Sequence, residues 1–102
     1  MNRSEYLLEC LSEECNEVGQ RVSKALRFSL REVQPHQPLN NAERIVEELG
    51  DLYSVVAILI SEGILPHFSI PQETVDTKRA KIERFMAISR ETGALSENGG
   101  AK

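Results

Sequence analysis

A chain of 102 residues carrying 12 Lys and Arg against 16 Asp and Glu, with a formal charge of −4, is one domain with room for a single modest core. That acidic balance argues against a general nucleic-acid binder, which grips phosphate backbones with clustered Lys and Arg. The longest apolar run, Val55 to Ile60, is far too short to cross a bilayer, and so small a core makes self-association an expectation.

No long apolar run follows Arg3, so no secretory leader is expected and the chain reads as cytoplasmic. The two cysteines, Cys10 and Cys15, stand about 140° apart around a helix and cannot pair within it. They are expected as buried, reduced thiols.

From about Ser4 to Ser29 there is no proline, and Leu7, Leu11, Val18, Val22 and Ala25 recur at helical steps. At about 100° per residue these five fall within a narrow stripe, with Ser4 the expected start. Glu14 lies inside that stripe, Glu17 at its edge and Glu13 further round, whereas Glu5 and Glu9 fall on the solvent side. Gly19 offers a place for this helix to bend or break, because an interior glycine costs about 1 kcal/mol against alanine. Beyond it Arg21, Lys24, Arg27 and Arg31 form a cationic set.

Leu30 to Asn41 reads as a loop, with Pro35 and Pro38 flanking His36 and Gln37. Asn40 as N-cap, with Glu43 three residues on, predicts a second helix from Asn41 to about Glu62. Ile45, Leu49, Leu52, Val56, Leu59 and Ile60 form its core stripe. Past Asp51 its residues are apolar in almost every direction, which predicts burial on more than one side and a partner subunit. Glu48 and Asp51 share a sector with Val55 and Ile58, and Gly50, roughly opposite, would let another helix approach closely.

Gly63 and Pro66 end that helix. Ser69, with Gln72 three residues later, predicts the cap of a third helix reaching about Thr92. Val75, Ile82, Phe85 and Met86 share its apolar face with Lys78 and Arg79, and Lys81 lies at the margin. Gly93 stops it. The expected organisation is a helical domain over residues 1–93 and a flexible tail over 94–102, all-α, with three principal helices assembling into an oligomeric bundle.

Carboxylates three residues apart lie on one side of a helix, so Glu14 with Glu17, and Glu48 with Asp51, can each ligate one metal or neighbouring metals. Acidic pairs on helices are commonly just solvated surface. Here Glu14 interrupts a core stripe and the second pair adjoins a helix apolar on most sides, and buried carboxylates without partners are costly. Packed antiparallel, the two helices would bring four carboxylates into one pocket suited to Mg²⁺, which prefers oxygen ligands. His36 and His67 sit beside prolines, and no Glu-x-x-His occurs, which argues against a di-iron bundle. There is no Gly-rich phosphate loop and no cysteine spacing suited to zinc. Tyr53 and Phe28 could stack on a base, although aromatics at helical spacing are more often core.

The run Glu13-Glu14-x-x-Glu17 followed by Glu48-x-x-Asp51, on the first two long helices of a small helical chain, resembles the MazG-like all-α nucleoside triphosphate pyrophosphohydrolases. That superfamily also includes dimeric dUTPases and phosphoribosyl-ATP pyrophosphohydrolases. The resemblance spans roughly Leu7 to Phe85, with a spacer of 30 residues between Glu17 and Glu48 that is longer than usual. It implies Mg²⁺-dependent hydrolysis, with Mn²⁺ as an alternative ion, between the α- and β-phosphates of a nucleoside triphosphate, in nucleotide-pool housecleaning. By position Glu14, Glu17, Glu48 and Asp51 match the metal ligands, and Glu13 matches a residue that supports the ligands or orients the water. Lys78 and Lys81 are the candidates for the phosphate tail, ahead of Arg79 and Arg84, while Lys24 and Arg27 reach it only if the first helix bends back. The expected assembly is a homodimer or homotetramer with neither nucleic-acid nor membrane partner. The alternatives are a non-catalytic helical interaction protein that keeps the fold, and a phosphoribosyl-ATP pyrophosphohydrolase.

Overall fold

Helix formation starts at Asn2, whose side chain accepts the Glu5 amide at 2.8 Å while the Glu5 carboxylate accepts the Asn2 amide at 3.1 Å. This reciprocal cap opens α1, Arg3–Phe28, in a computed structural model whose described residues are 1–96. Ser4, the expected start, is therefore already inside the helix; Asn2 wins because its carboxyl partner stands three residues on. The same device works at Asn40, which accepts the Glu43 amide at 2.8 Å and opens α2, Asn41–Ser61. The third helix, α3, covers Gln72–Glu91, and no strand occurs among the described residues. The expected tail lies largely outside the described residues, which end at Ser96.

Gly19 does not break α1, which runs through it as one helix of 26 residues. The penalty of one glycine is local, and packing of the apolar stripe carries the helix across it. A Cβ at Gly19 or at Gly50 would meet no atom within 4 Å, so the close approach expected over Gly50 does not occur among the described residues.

The two long helices form an antiparallel hairpin fastened at both ends. At the open end Arg3 grips Glu62 through two hydrogen bonds, Nε to Oε1 at 2.9 Å and Nη2 to Oε2 at 2.7 Å. The bond from Arg3 holds the Glu62 carboxyl below its usual range. At the closed end Asn41, wholly buried, donates through Nδ2 to the Ser29 carbonyl at 2.8 Å and to the Glu32 carboxylate at 3.1 Å. Its amide and that of Ala42 donate to the carbonyls of Glu32 and Leu30, so the connection is tied onto the first turn of α2. Ser29 sits at φ 79, ψ 154, a region in which only glycine is comfortable.

Between these fastenings Ala25 and Leu59 are the buried hydrophobic residues, and Leu7, Leu11, Val18, Ile45, Leu49, Leu52, Val56 and Ile60 are half-buried. The expected stripes face inward except at Val22 of α1, which is exposed. Among the described residues α2 is not buried on several sides: Tyr53 is 63% exposed and Ile58 43%. Phe28 is likewise exposed, and of the two cysteines expected to be buried, Cys15 is exposed and Cys10 half-buried.

The chain divides into two units, Met1–His67 and a second from Phe68 onward. In the second, α3 starts after Pro71 with no side-chain cap. The cap expected from Ser69 and Gln72 is replaced by Pro71, whose φ of −63 is preset for helix entry, while Gln72 donates to Asp76 at 2.9 Å. Gly93, at φ 83, follows the end of the helix. No residue of α3 is buried, and Val75, Ile82, Phe85 and Met86 stand exposed. No helix among the described residues is long and apolar enough to cross a membrane.

Two glycine exchanges test these backbone assignments. Gly19→Ala, in mid-helix with open space around it, is expected to raise the unfolding free energy by about 1 kcal/mol in urea denaturation. Ser29→Gly is expected to raise it by about 1 kcal/mol or more, since glycine occupies that backbone region without strain. A loss of stability in either variant contradicts the corresponding assignment.

Candidate metal centre

The hairpin's register brings the middle of α1 against the middle of α2. Glu14, Glu17 and Glu48 each offer a carboxylate oxygen within 4.8 Å of the others, and all three side chains are half-buried. The pairing follows from the fold: Glu14 and Glu17 share one side of α1, and the antiparallel turn at Asn41 sets Glu48 opposite Glu17. An Oε2 atom of Glu14 and one of Glu48 are enclosed with no hydrogen-bond partner. Buried carboxylate oxygens of that kind call for a cation.

The electrostatics say the same. Burial raises the Glu14 carboxyl above its ordinary range, and the charges of Asp51, Glu48 and Glu13 raise it further against a lowering bond with Glu17. The Glu14 charge is the main cause that raises Glu17, followed by burial, the charges of Glu48 and Glu13, and a hydrogen bond with Glu48. These carboxyls repel one another and compete for protons. A donor set made only of carboxylate oxygen suits a hard divalent ion and is a poor match for metals that seek sulfur or imidazole. The residues present therefore fit a metal ion.

The other candidates are placed differently. Asp51 is exposed and lies outside the three-residue group, although its charge is the largest one acting on Glu14. Glu13 is also exposed; its charge reaches both Glu14 and Glu17 from the rim. Lys78 and Lys81 stand exposed on α3 in the second unit, where with Glu73, Thr74 and Thr77 they line a shallow groove. Sequence reasoning passed over Arg21 and Asn41 as residues of this hairpin interface. Both carry enclosed polar atoms without partners, Nε and Nη1 in Arg21 and Oδ1 in Asn41. The signal for Arg21 was available, because it follows Glu14 by two turns and Glu17 by one on the same helical face.

A family model described as the MazG nucleotide pyrophosphohydrolase domain matches residues 2–84, which take in α1, α2 and most of α3. No curated protein and no solved structure matches the chain.

The raised carboxyls make a pH prediction. Because Glu14 and Glu17 hold protons more tightly in the folded chain than in the unfolded one, their contribution to stability falls as pH rises from the ordinary glutamate value of about 4.3 through their raised values. In chelator, Glu17→Gln is expected to gain stability relative to the parent chain across that window, read from urea midpoints at successive pH. A difference that stays constant with pH contradicts the repulsion.

Proposed function

The chain belongs to the MazG nucleotide pyrophosphohydrolase domain family, and from that premise we propose that it is a Mg²⁺-dependent nucleoside triphosphate pyrophosphohydrolase, releasing a nucleoside monophosphate and pyrophosphate. The observation that carries this reading is the three-carboxylate group with enclosed, unpartnered oxygens at the centre of the hairpin. Such a group weakens the fold unless it is put to work.

Glu14, Glu17 and Glu48 would hold the ion, with Asp51 completing the set from one turn beyond Glu48. When bound, a divalent ion of this kind supplies charge neutralisation to a polyphosphate and makes water more acidic. The chain's own contribution is position. Glu14 and Glu48 each hold an enclosed oxygen without a hydrogen-bond partner, and Glu13, which is exposed, would orient the attacking water and take up its proton. Phosphoryl chemistry asks for little else, since most of its barrier is lowered by alignment and charge stabilisation. Lys78 and Lys81 are proposed to meet the phosphate tail. The substrate pool would be that of the cytoplasm.

Self-association belongs to the same proposal. A helix in water owes most of its stability to packing of its apolar face, and α3 has no buried residue. Its exposed Val75, Ile82 and Phe85, like Tyr53 and Ile58 on α2, are surfaces for a second copy of the chain, in a homodimer or homotetramer.

Incubation with a panel of canonical and modified nucleoside triphosphates plus Mg²⁺ is expected to yield pyrophosphate, with activity lowered on the order of 100-fold or more in Glu48→Gln. Orthophosphate as the product, or an unaffected Glu48→Gln, would sink the reading. Light scattering at micromolar concentration is expected to return at least twice the chain mass; a stable monomer contradicts the assembly.

A further inference from the structure

Each helix of the hairpin carries a second strip beside its inward stripe. Around α1, counted from Leu7 at about 100° per residue, Leu8, Cys15, Val22 and Leu26 lie at about 60° to 100°, with Ser12 and Gly19 just beyond. Around α2, counted from Ile45, Val46, Gly50, Tyr53 and Ala57 lie at about 80° to 140°. All of these residues are exposed. No Asp, Glu, Lys or Arg falls between about 40° and 140° on either helix, in a chain that is 27% charged. A helix surface that meets only water carries charged and polar residues, whereas loss of charge marks the centre of an interface.

The two strips lie on one side of the helix pair. In antiparallel helices the reversal of direction and the turn needed to face the partner each invert the sense of rotation, so equal offsets from the inward stripes emerge on the same side. The carboxylates follow the same rule in the opposite sense: Glu14, Glu17 and Glu48 are offset by about 20° to 80° the other way, and their oxygens meet within 4.8 Å. The hairpin is therefore two-sided, with the acidic group towards one side and a charge-free surface on the other. Cys15 and Gly50 stand level with each other on that surface, two residues from Glu17 and Glu48 respectively, and their small size leaves room for another layer to come close.

We propose that the charge-free side of the hairpin seats the same side of a second copy, so that two hairpins stack into a four-helix bundle. This pairing gives the self-association proposed above a place on the molecule and rests on that part of the reading alone. A like side is the occupant that matches. A charged residue pressed onto this surface would lose its water and gain no partner, and the exposed apolar side of α3 carries Lys78 and Arg79 beside Val75 and Ile82. Two charge-free sides meet without that cost. Size agrees with the pairing: α2, with 21 residues, is about 31 Å long, and two packed helices are about 20 Å wide, which gives about 600 Å² per copy. Two copies together bury about 1,200 Å², the lower end of the range for specific protein interfaces. Stacked in this way, the carboxylate groups face the two outer sides of the bundle, each built from one copy.

The test measures assembled mass by light scattering at micromolar concentration in three variants of the full chain. Leu26→Glu and Tyr53→Glu place a carboxylate where the side chain is 82% and 63% exposed in the single chain, so its fold tolerates them, and both are expected to halve the assembled mass. Tyr6→Glu, also at a position 63% exposed but on the opposite side of α1, is expected to assemble as the parent does. Retained assembly in Leu26→Glu or in Tyr53→Glu overturns the pairing, and so does its loss in Tyr6→Glu. Should a variant lose its helical circular dichroism, the parent chain supplies a second measurement. Cys15, exposed in the single chain, is covered in the pair, so iodoacetamide is expected to modify it about 10-fold or more slowly in the assembled chain than after dilution to monomer. Equal rates overturn the pairing. A parent chain that is monomeric at micromolar concentration also overturns it and leaves the chemistry standing, whereas a paired chain that releases no pyrophosphate supports the pairing and removes the chemistry.

Discussion

The repulsion among Glu14, Glu17 and Glu48 is the constraint around which the hairpin is arranged. Their oxygens meet within 4.8 Å at the middle of a helix pair, where two methyl-bearing side chains would pack at no electrostatic cost. Burial and neighbouring charges raise the Glu14 and Glu17 carboxyls, so the folded chain concentrates negative charge that an unfolded chain would spread out. Everything else in the hairpin works to hold that centre together.

Polar fastenings stand at the two ends of the helix pair, with half-buried apolar contacts between them. Arg3 and Glu62 form a two-pronged ion pair at one end, and Asn41 clamps the Ser29 carbonyl and the Glu32 carboxylate at the other. Two Asn–Glu capping boxes set where each helix begins, and therefore which residues face each other. With Ala25 and Leu59 as the buried apolar residues, the hairpin's own core is thin. An end-clamped pair of helices with an acidic middle is well suited to holding a ligand, because register is fixed by contacts that the ligand does not touch.

The same thinness explains the apolar residues left on the surface. Tyr53 and Ile58 on α2, and Val75, Ile82, Phe85 and Met86 on α3, stand exposed. A chain that folds with its second copy can distribute its hydrophobic area in this way, since association and folding then become one equilibrium.

Much of this was legible in the residues. The three helices, the Asn40–Glu43 cap, the inward stripe from Ile45 to Ile60 and the i, i+3 spacing of the acidic pairs are all local properties, governed by the geometry of a single helix. So was the family, because the paired acidic motif is itself a run of sequence. The misreadings share a different cause. Gly19 failed to break α1, Asn2 took the cap from Ser4, and Cys15 ended exposed, because propensity and periodicity do not say how far packing will override them or which faces find a neighbour. Sequence alone thus determined which carboxylates share a side of each helix. Only the tertiary structure decided that Glu48 stands against Glu17, that Asp51 lies outside the tight group, and that Arg21 keeps two enclosed donors unspent, since those facts depend on the register between two helices and no single helix contains that information.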